Sequence, residues 1–365
     1  MSIIIFFIIL LVLVLVHEFG HFFTAKSFGI RVDEFGFGFP PKLFGVKKGE
    51  TEYTFNLLPI GGFVRIFGEN PDEENINGPD AGRSFVNKPA WQQAVVLFAG
   101  VFMNFLLAWF LFSIGFMSGL PTSVGSEPSG SKLSDVHLTI ISVAPKSPAE
   151  IAGLKSGDKI ISVGNNDFTL TPDPDIVKTF VTTSMGKPIH MIYTRGKDST
   201  PNAINVTPTA STPGGTLTIG ISMDMIGTAK LGFFSALKEG ASLTWFVIKG
   251  TVLGLYRLIA DSLHGKGNFS SVTGPVGLVG IAGDAYKFGF AYLLSFAALI
   301  SVNLGVINLF PFPALDGGRL FFLLIEKIKG SRLNPKIVNM ANTIGFGILI
   351  FLMLIITYHD VVKLF

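Results

Sequence analysis

Four stretches of the chain are apolar enough to cross a membrane as helices. They lie at about residues 2–28, 91–117, 290–310 and 343–358. Each comes close to the ~20 mostly apolar residues that an α-helix needs to span the hydrocarbon core. The pattern predicts an α-helical membrane protein with four transmembrane helices. Two of them belong to an N-terminal membrane part (1–119) and two to a C-terminal membrane part (265–365).

The first stretch stands where a secretory signal peptide would stand. Signal peptides have a basic start and a small-residue cleavage site. Here no Lys or Arg precedes the apolar run, and the run continues into HEFGHFF without such a site. We therefore expect a retained first helix.

Between the first two predicted helices lies a segment rich in Gly, Pro and aromatic residues. Its alternating patches are typical of short strands: GFGFPPKLF at residues 36–44 and FNLLPIGGFVRIFGE at residues 55–69. The Gly and Pro residues favour hairpins over helices. We predict a membrane-associated β-hairpin region over about residues 31–68.

The segment from about residue 120 to residue 228 differs in composition. Ser, Thr, Pro, Gly and Asp become frequent and the apolar runs become short. These runs predict strands at residues 138–144, 158–164, 189–194 and 217–223, and an amphipathic helix at residues 173–184. The pattern is typical of one soluble mixed α/β domain.

Residues 229–264 allow two interpretations. Apolar side chains recur there at helical spacing on one side. The segment is therefore either a fifth transmembrane helix or an amphipathic helix in the membrane interface. Charged residues interrupt it at Lys238, Lys249, Arg257 and Asp261. Charges near the centre favour the interfacial helix.

Composition supports a membrane protein and limits its chemistry. Hydrophobic residues make up 48% of the chain, charged residues only 15%, and the mean hydropathy is +0.54. Ordinary soluble proteins are less apolar. The chain has no Cys, so any metal must be held by His and carboxylates. The net charge is only +3 and the basic residues are scattered, so we expect no nucleic-acid partner.

Basic residues are unevenly distributed among the predicted connecting segments. Eight Lys or Arg lie between residues 26 and 88, and five lie between residues 319 and 336. None precedes the first helix, and only Lys363 follows the last. Because cytoplasmic segments carry the excess of Lys and Arg, we expect both termini and the soluble domain on the extracytoplasmic side.

The first predicted helix contains HEFGH at residues 17–21, a match to H-E-x-x-H. In that motif two histidines on one helix face hold one Zn²⁺, and the Glu acts as general base. A chance match with two hydrogen-bonded core histidines is the alternative. That alternative is weak in an apolar helix, because a charged group costs roughly 2.5–3.5 kcal/mol there. We predict His17 and His21 as metal ligands and Glu18 as the base.

A catalytic zinc site needs a third protein ligand. The remaining histidines lie in the soluble domain, at the end of the interfacial helix or in the C-terminal tail: His137, His190, His264 and His359. Asp316 follows the third predicted helix in NLFPFPALDGG, where Pro and Gly keep the backbone from continuing as a regular helix. The alternative for Asp316 is an N-cap of a helix that starts near Gly317.

The predicted topology supports the pairing of Asp316 with the two histidines. His17 and His21 lie toward the inner end of the first helix, and the third helix returns the chain to that side at Asp316. If residues 229–264 also crossed the membrane, Asp316 would lie roughly 30 Å away. A shared metal therefore requires the interfacial helix.

With HEFGH in the first helix, NLFPFPALDGG after the third and SPAEIAGLKSGDKIISV between them, the chain resembles the site-2 proteases, in their bacterial RseP-like branch. The resemblance covers nearly the whole chain. It implies an intramembrane zinc protease of the bacterial cytoplasmic membrane, with His17, His21 and Asp316 as ligands and Glu18 as base. It also implies Asn308 as a polar group near the scissile peptide bond. A hydrogen bond between packed helices is the alternative for Asn308.

Residues 147–158 resemble part of a PDZ domain, a fold that captures peptides by strand addition. Some members of the branch carry two such domains, whereas this chain has room for one. The resemblance implies that the domain binds peptide segments. The alternative is a rigid β-domain without a ligand, because we find no convincing Φ-G-Φ loop for a carboxylate.

The segments GFGFPPKLF and LLPIGGFVRI resemble the membrane-reentrant β-structure of the same branch. The resemblance implies an edge strand, with Gly61 and Gly62, that contacts an unwound substrate segment. Backbone inside a membrane must be hydrogen-bonded or face a polar cavity. The alternative is a cytoplasmic hairpin that packs on the helices, with its basic residues on the anionic lipid of the bilayer.

The resemblance also implies the substrates. They would be single-span membrane proteins, such as anti-sigma-factor-like proteins or signal-peptide remnants, cut after Glu18 activates a water at the zinc. Two other functions stay open: a non-catalytic membrane scaffold, and a membrane-anchored protease of soluble peptides. Fe²⁺ and Co²⁺ suit the same ligands as zinc.

Overall fold

The computed structural model describes residues 1–70, 73–128, 132–165, 169–170, 172–196, 198–210, 215–265 and 273–362. These residues form two compact units. The first, here the helical unit, comprises Met1–Phe112, Gly240–Gly283 and Phe296–Phe365. The second, here the β-rich unit, comprises Ser113–Glu239 and Asp284–Ser295. Lys363 and residues 266–272 of the predicted C-terminal membrane part lie outside the described residues.

The elements alternate between long helices and groups of strands. The α-helices of the described residues are α1 (Ser2–Ser27), α2 (Glu73–Asn77), α3 (Ala90–Ser118), α4 (Pro148–Ala152), α5 (Pro174–Thr183), α6 (Phe233–Leu263), α7 (Pro275–Phe288), α8 (Phe290–Asn308), α9 (Asp316–Lys329) and α10 (Pro335–Val362). The β-strands are β1 (Val32–Lys48), β2 (Thr51–Ile66), β3 (Leu120–Ser123), β4 (Ser134–Val143), β5 (Lys159–Gly164), β6 (Thr169–Leu170), β7 (Ile189–Arg195), β8 (Asp198–Val206), β9 (Thr209–Ala210), β10 (Leu217–Thr218) and β11 (Ile221–Ala229).

Five of these helices are long and apolar enough to cross a membrane: α1, α3, α6, α8 and α10. The helices α1, α3 and α8 begin and end within two residues of the predicted positions. Helix α10 begins at Pro335, before the predicted residue 343, because the polar side chains of its first turns do not prevent a helix and Pro suits a first helical position.

Helix α6 covers most of residues 229–264, the segment for which two interpretations were open. Its length and composition also suit a fifth membrane crossing. Apolar side chains of α6 pack against a buried cluster from α3 and α8. The Thr251 hydroxyl donates a hydrogen bond to the Asn303 amide oxygen of α8 at 2.9 Å. Its location in the membrane interface, and with it the total of four crossings, stays a prediction.

Helix α7 was not predicted, and a helix at the position of α9 was expected only in the alternative interpretation of Asp316. Helix α7 is rich in Gly, which lowers helix propensity. Helix α9 carries charged residues in its last turns and is too short to cross a membrane. Neither helix contains an apolar run long enough to cross a membrane.

The sheet of the helical unit lies where the hairpin region was predicted, but its strands are long and irregular. Residues 34–37 of β1 pair with residues 62–65 of β2 and also with residues 52–55. Residues 42–48 of β1 pair with residues 51–56. Four segments therefore lie side by side, and β2 from Gly62 onward forms one outer edge.

Glycines let α1 approach both its neighbours in the helical unit. A Cβ on Gly62 of β2 would lie 2.9 Å from Leu15 Cδ2 of α1. A Cβ on Gly20 would clash with the backbone of Ala99 and lie 2.9 Å from the backbone nitrogen of Gly100 in α3. Small residues at helix contacts permit such close crossings in membranes. The result is that α1 lies directly between β2 and α3.

The β-rich unit contains a sheet with the strand order β3-β11-β4-β5-β7-β8, in which β6 also pairs with β5. Three predicted strands are present as β4, β5 and β7, and the predicted helix is α5. The fourth predicted strand, at residues 217–223, is divided into β10 and β11 at Gly220, whose φ of +77° breaks the extended backbone. The strand β8 was missed because its sequence, DSTPNAINV, lacks an apolar alternation.

The core of the β-rich unit is apolar, with one buried carboxylate at its edge. The core includes Leu138, Ile160, Val177 and Met191, all at most 1% exposed. Asp158 is fully buried and accepts hydrogen bonds from Arg195 Nε at 2.6 Å and Nη2 at 2.7 Å. The Lys155 backbone N–H donates to the same carboxylate at 2.8 Å.

Candidate metal centre

Helix α1 presents His17 and His21 on one face. Residues four apart on an α-helix lie one above the other, and both side chains are buried, with 6% and 7% exposure. Their rings meet edge to face, with centroids 4.8 Å apart. Helical periodicity places the two side chains next to each other, and their Nε2 atoms lie 3.2 Å apart.

Asp316 reaches the histidines from the first turn of α9. Its Oδ2 atom lies 3.1 Å from His17 Nε2 and 3.2 Å from His21 Nε2. Asp316 is the first helical residue rather than the N-cap, which is Leu315. The start of α9 folds back onto the end of α8 so closely that a Cβ on Gly317 would clash with the Leu309 and Phe310 carbonyl oxygens. The Gly pair after Asp316 thus permits the turn that delivers the carboxylate.

The three donor atoms fit a bound divalent cation. Ligands about 2.0–2.1 Å from a tetrahedral zinc ion lie roughly 3.3–3.4 Å apart, close to the 3.1–3.2 Å separations here. Apart from the imidazoles, Asp316 Oδ2 has no hydrogen-bond partner in the described part of the chain. When both Nε2 atoms are unprotonated, their lone pairs and the carboxylate repel one another at these distances unless a cation lies between them. His17, His21 and Asp316 are the residues that could hold it.

Helix α3 contacts the Nδ1 atoms of both imidazoles. His21 Nδ1 donates to the Val96 carbonyl oxygen at 2.8 Å, which leaves the Nε2 lone pair free for a metal. Asn104 Nδ2 lies 3.1 Å from His17 Nδ1. Gly100 lies between Val96 and Asn104 in α3, and a Cβ at Gly100 would clash with His21 Nε2. Because Val96, Gly100 and Asn104 are spaced by four, one face of α3 contacts both histidines.

Glu18 lies between the histidines in sequence and points toward the sheet. Its side chain is partly buried, and its carboxylate lies near the backbone of Val64. Val64 belongs to the outer segment of β2 and also pairs with Phe35. The candidate base is therefore held beside an outer strand edge.

An ion pair joins the end of β2 to α9. Arg319 Nη1 donates to Glu69 Oε1 at 2.6 Å, and Arg319 Nη2 donates to Asn70 Oδ1 at 3.2 Å. Arg319 lies one helical turn after Asp316. The pair connects the segment beside Glu18 to the helix that carries the third candidate ligand.

The other predicted substrate-binding residues lie around this centre. Gly61 has a φ of +144°, and a Cβ there would lie 2.9 Å from the Phe39 ring. Gly62 follows it and packs on Leu15, one helical turn before Glu18. Asn308 is the last residue of α8, half-buried, and precedes Leu309, whose carbonyl oxygen faces Gly317.

An apolar groove of about 450 Å³ runs between α1 and the sheet. It borders the HEFGH motif and is lined by Val12, Leu15, Val16, Phe19, Phe22, Phe35, Phe37 and Tyr53. All these side chains belong to the helical unit. The lining is apolar, which suits an apolar peptide segment rather than a charged ligand.

Sequence reasoning missed Asn104 and Gly100. Both residues lie in the segment AGVFMN, which spans residues 99–104 of α3 and contains no titratable side chain. A lone Asn in the middle of a long apolar helix was the available signal, because a buried amide in a membrane needs a partner.

A second omission concerns the β-rich unit. Ile219, Gly220 and Ile221 form a Φ-G-Φ sequence, so the expectation that the domain lacks such a loop was wrong. Among the described residues β3 pairs with residues 226–229 of β11, so residues 221–224 have no strand partner on that side. Helix α5 contacts β10 and β11 near this edge. An open strand edge beside a helix is the geometry that strand addition requires.

Comparison with known proteins agrees on one family. The sequence profile described as "Peptidase family M50" matches residues 5–352. The chain is 32% identical to the regulator of sigma-W protease RasP of Bacillus subtilis, over 100% of this chain and 99% of that protein. It is 30% identical to the zinc metalloprotease RasP of Geobacillus kaustophilus, over 100% and 98%. It is 29% identical to the regulator of sigma-E protease RseP of Salmonella typhimurium, over 98% of each.

Among solved structures, the PDZ domain of an SdrC-like protein from Listeria monocytogenes matches 25% of this chain and 92% of its own length. The identity is 22% and the TM-score is 0.21. At that TM-score the match adds nothing to the sheet topology described above.

Proposed function

Because the chain belongs to peptidase family M50, the site-2 proteases, and is a multi-pass membrane metalloprotease of that type, we propose that it cleaves membrane-spanning segments with one zinc ion. The convergence of His17 Nε2, His21 Nε2 and Asp316 Oδ2 within 3.2 Å carries the proposal. Relatives whose names contain "zinc metalloprotease" support zinc over Fe²⁺ or Co²⁺.

The ligand set fits zinc chemistry. Two imidazole nitrogens and one carboxylate oxygen would hold the ion, and three protein ligands are the number typical of catalytic zinc sites. When bound, zinc supplies the positive charge that polarises a water molecule and the peptide carbonyl. Asp316 would neutralise part of the charge of the ion, and the two imidazoles that would hold it are buried.

Glu18 acts as the general base. Its carboxylate takes a proton from the attacking water and afterwards delivers a proton to the leaving amine nitrogen. The carboxylate lies near the backbone of Val64, beside the strand edge. Because Val64 lies on β2 beside α1, the base and the strand edge face the same space.

The substrate binds in extended form along the outer edge of β2. A helical peptide bond is shielded by its own turns, so a membrane-spanning segment must unwind before attack. The outer edge from Gly62 onward offers backbone groups for pairing, and Gly61 and Gly62 let a second backbone approach. The apolar groove beside Phe19 and Tyr53 takes substrate side chains. Asn308 hydrogen-bonds the peptide near the cut.

We place the protein in the bacterial cytoplasmic membrane, with both termini and the β-rich unit outside, because Lys and Arg are concentrated in the two segments assigned to the cytoplasm. Two relatives are named as regulators of sigma-W and sigma-E. Anti-sigma-factor-like single-span proteins, alongside signal-peptide remnants, are accordingly the proposed substrates. The PDZ-like β-rich unit binds peptide segments at the open edge of β11, residues 221–224.

Co-expression with tagged single-span proteins tests the activity. We expect cleavage within the span by the wild-type protein and a loss of at least ~100-fold with Glu18→Gln, because a positioned base contributes about that much. Glu18→Gln keeps its zinc, since Glu18 is not a ligand. Wild-type cleavage by Glu18→Gln would exclude Glu18 as the base, and cleavage only of soluble peptides would exclude the membrane substrate.

A further inference from the structure

We propose that Asn104 is a positioning residue for the metal. Its amide oxygen accepts a hydrogen bond from His17 Nδ1–H and so leaves the His17 Nε2 lone pair to the zinc. The inference rests on the proposed function, since it requires that His17 is a ligand. It adds a role for a residue of α3 that has no ionisable group.

Asn104 is placed as such a residue needs to be. It is fully buried in the middle of α3, with its amide 3.1 Å from His17 Nδ1. Its backbone carbonyl accepts from the Ser301 hydroxyl of α8 at 2.8 Å. The residue thus joins α1, α3 and α8, and its side chain has little freedom to leave the imidazole.

The amide carries one unsatisfied atom. Asn104 Oδ1 is buried and has no hydrogen-bond partner among the described residues, while Nδ2 faces the histidine. An amide that donates to Nδ1 selects the imidazole tautomer with its proton on Nε2. That tautomer has no lone pair for a metal and directs its proton at Asp316.

Rotation of the amide by half a turn brings Oδ1 to the histidine and reverses the choice of tautomer. The two orientations exchange only O and N, which occupy nearly the same volume. Oδ1 then accepts from His17 Nδ1–H, and Nε2 is left with its lone pair. His21 already has this arrangement, because its Nδ1 donates to the Val96 carbonyl at 2.8 Å. The same face of α3 would therefore set the tautomer of both ligands.

Two variants separate an acceptor from a space-filling side chain. Asn104→Asp keeps an acceptor oxygen at the same place, and Asn104→Leu keeps the size without any acceptor. Zinc affinity of the full-length protein in detergent is measured by competition with a chromophoric chelator. We expect Asn104→Leu to bind zinc 10- to 100-fold more weakly, the usual effect of losing such a partner. Asn104→Asp should stay within a few-fold of wild type.

The melting temperature of the zinc-free protein is recorded for each variant. A merely structural role would lower it in both variants together, with no rescue of affinity by Asp. Equal zinc affinity of Asn104→Leu and wild type overturns the inference, and so does equal loss in both variants. If Asn104→Leu is not recovered folded, Asn104→Ala replaces it with the same expectation.

His17→Ala distinguishes this inference from the proposed function. If His17→Ala retains wild-type zinc affinity, the ligand set itself is wrong. If His17→Ala loses zinc while Asn104→Leu keeps it, the ligand set stands and the role of Asn104 is refuted.

Discussion

Asp158 of the β-rich unit and Asp316 of the helical unit are carboxylates with different hydrogen-bond partners. Asp158 of the β-rich unit receives two N–H donors from Arg195 and one from the Lys155 backbone. Asp316 of the helical unit has two imidazole nitrogens near Oδ2 and no other partner for that atom in the described residues. Asp158 is satisfied by the protein alone, whereas Asp316 is not.

The difference teaches how a structural carboxylate can be told from a ligand. A buried charge that meets a cation and N–H donors stabilises the fold around it. A carboxylate that faces imidazole lone pairs does not stabilise the fold until a cation binds between them. The β-rich unit should therefore depend on Asp158 for stability and be indifferent to metal, and the helical unit should show the reverse for Asp316.

The largest effect is expected from a side chain at Gly100, where the two histidines occupy the adjacent space. In Gly100→Val the new side chain clashes with His21 Nε2 and contacts His17. We expect zinc affinity to fall more than ~100-fold and cleavage to stop, because two ligands are displaced at once. Zinc competition and a cleavage assay measure this.

Gly254→Val is the matched control, because a Cβ at Gly254 of α6 meets no atom of the described residues within 4 Å. It should leave both quantities near wild type. Zinc binding by Gly100→Val at wild-type affinity would show that the imidazoles are not the ligands.

Asp158→Asn probes the other carboxylate. It removes the charge that Arg195 pairs with and should destabilise the β-rich unit by about 2 kcal/mol, the range for hydrogen bonds to charged groups. Hydrogen–deuterium exchange of the full-length protein should show faster exchange in β5 and β7, with zinc affinity unchanged. Asp175→Asn, on the exposed start of α5, is the control. Loss of zinc in Asp158→Asn would contradict the separation of the two roles.

The smallest effect concerns the Glu69–Arg319 pair. Each side chain is about a quarter exposed or less, so the pair is worth about 1 kcal/mol, or roughly fivefold in rate. We expect Glu69→Gln and Arg319→Gln to slow cleavage by that factor without loss of zinc. The reversed pair, Glu69→Arg with Arg319→Glu, should recover part of the rate. If the losses in cleavage rate of Glu69→Gln and Arg319→Gln were additive in the variant that carries both, the pair would not couple β2 to α9.

The sequence predicts what depends on local order. His17 and His21 share a face because a helix repeats every 3.6 residues, and the Pro and Gly around Asp316 mark a chain reversal. The long apolar helices follow from composition. These features need no knowledge of which element packs on which.

What depends on packing between distant segments was not predictable in the same way. The Val96 carbonyl and Asn104 contact the histidines only because α3 crosses α1 at Gly20. The register of β1 with β2 places Val64 beside Glu18, and no local pattern encodes it. The ion pair of Arg319 joins residues about 250 positions apart.

Zinc content is the most direct test of the central claim. The purified full-length protein and Asp316→Ala are dialysed against limiting zinc in detergent, and bound metal is counted per chain. We predict one zinc per wild-type chain and none retained by Asp316→Ala, with the melting temperature of the zinc-free proteins unchanged. Stoichiometric zinc in Asp316→Ala would contradict a centre built from His17, His21 and Asp316.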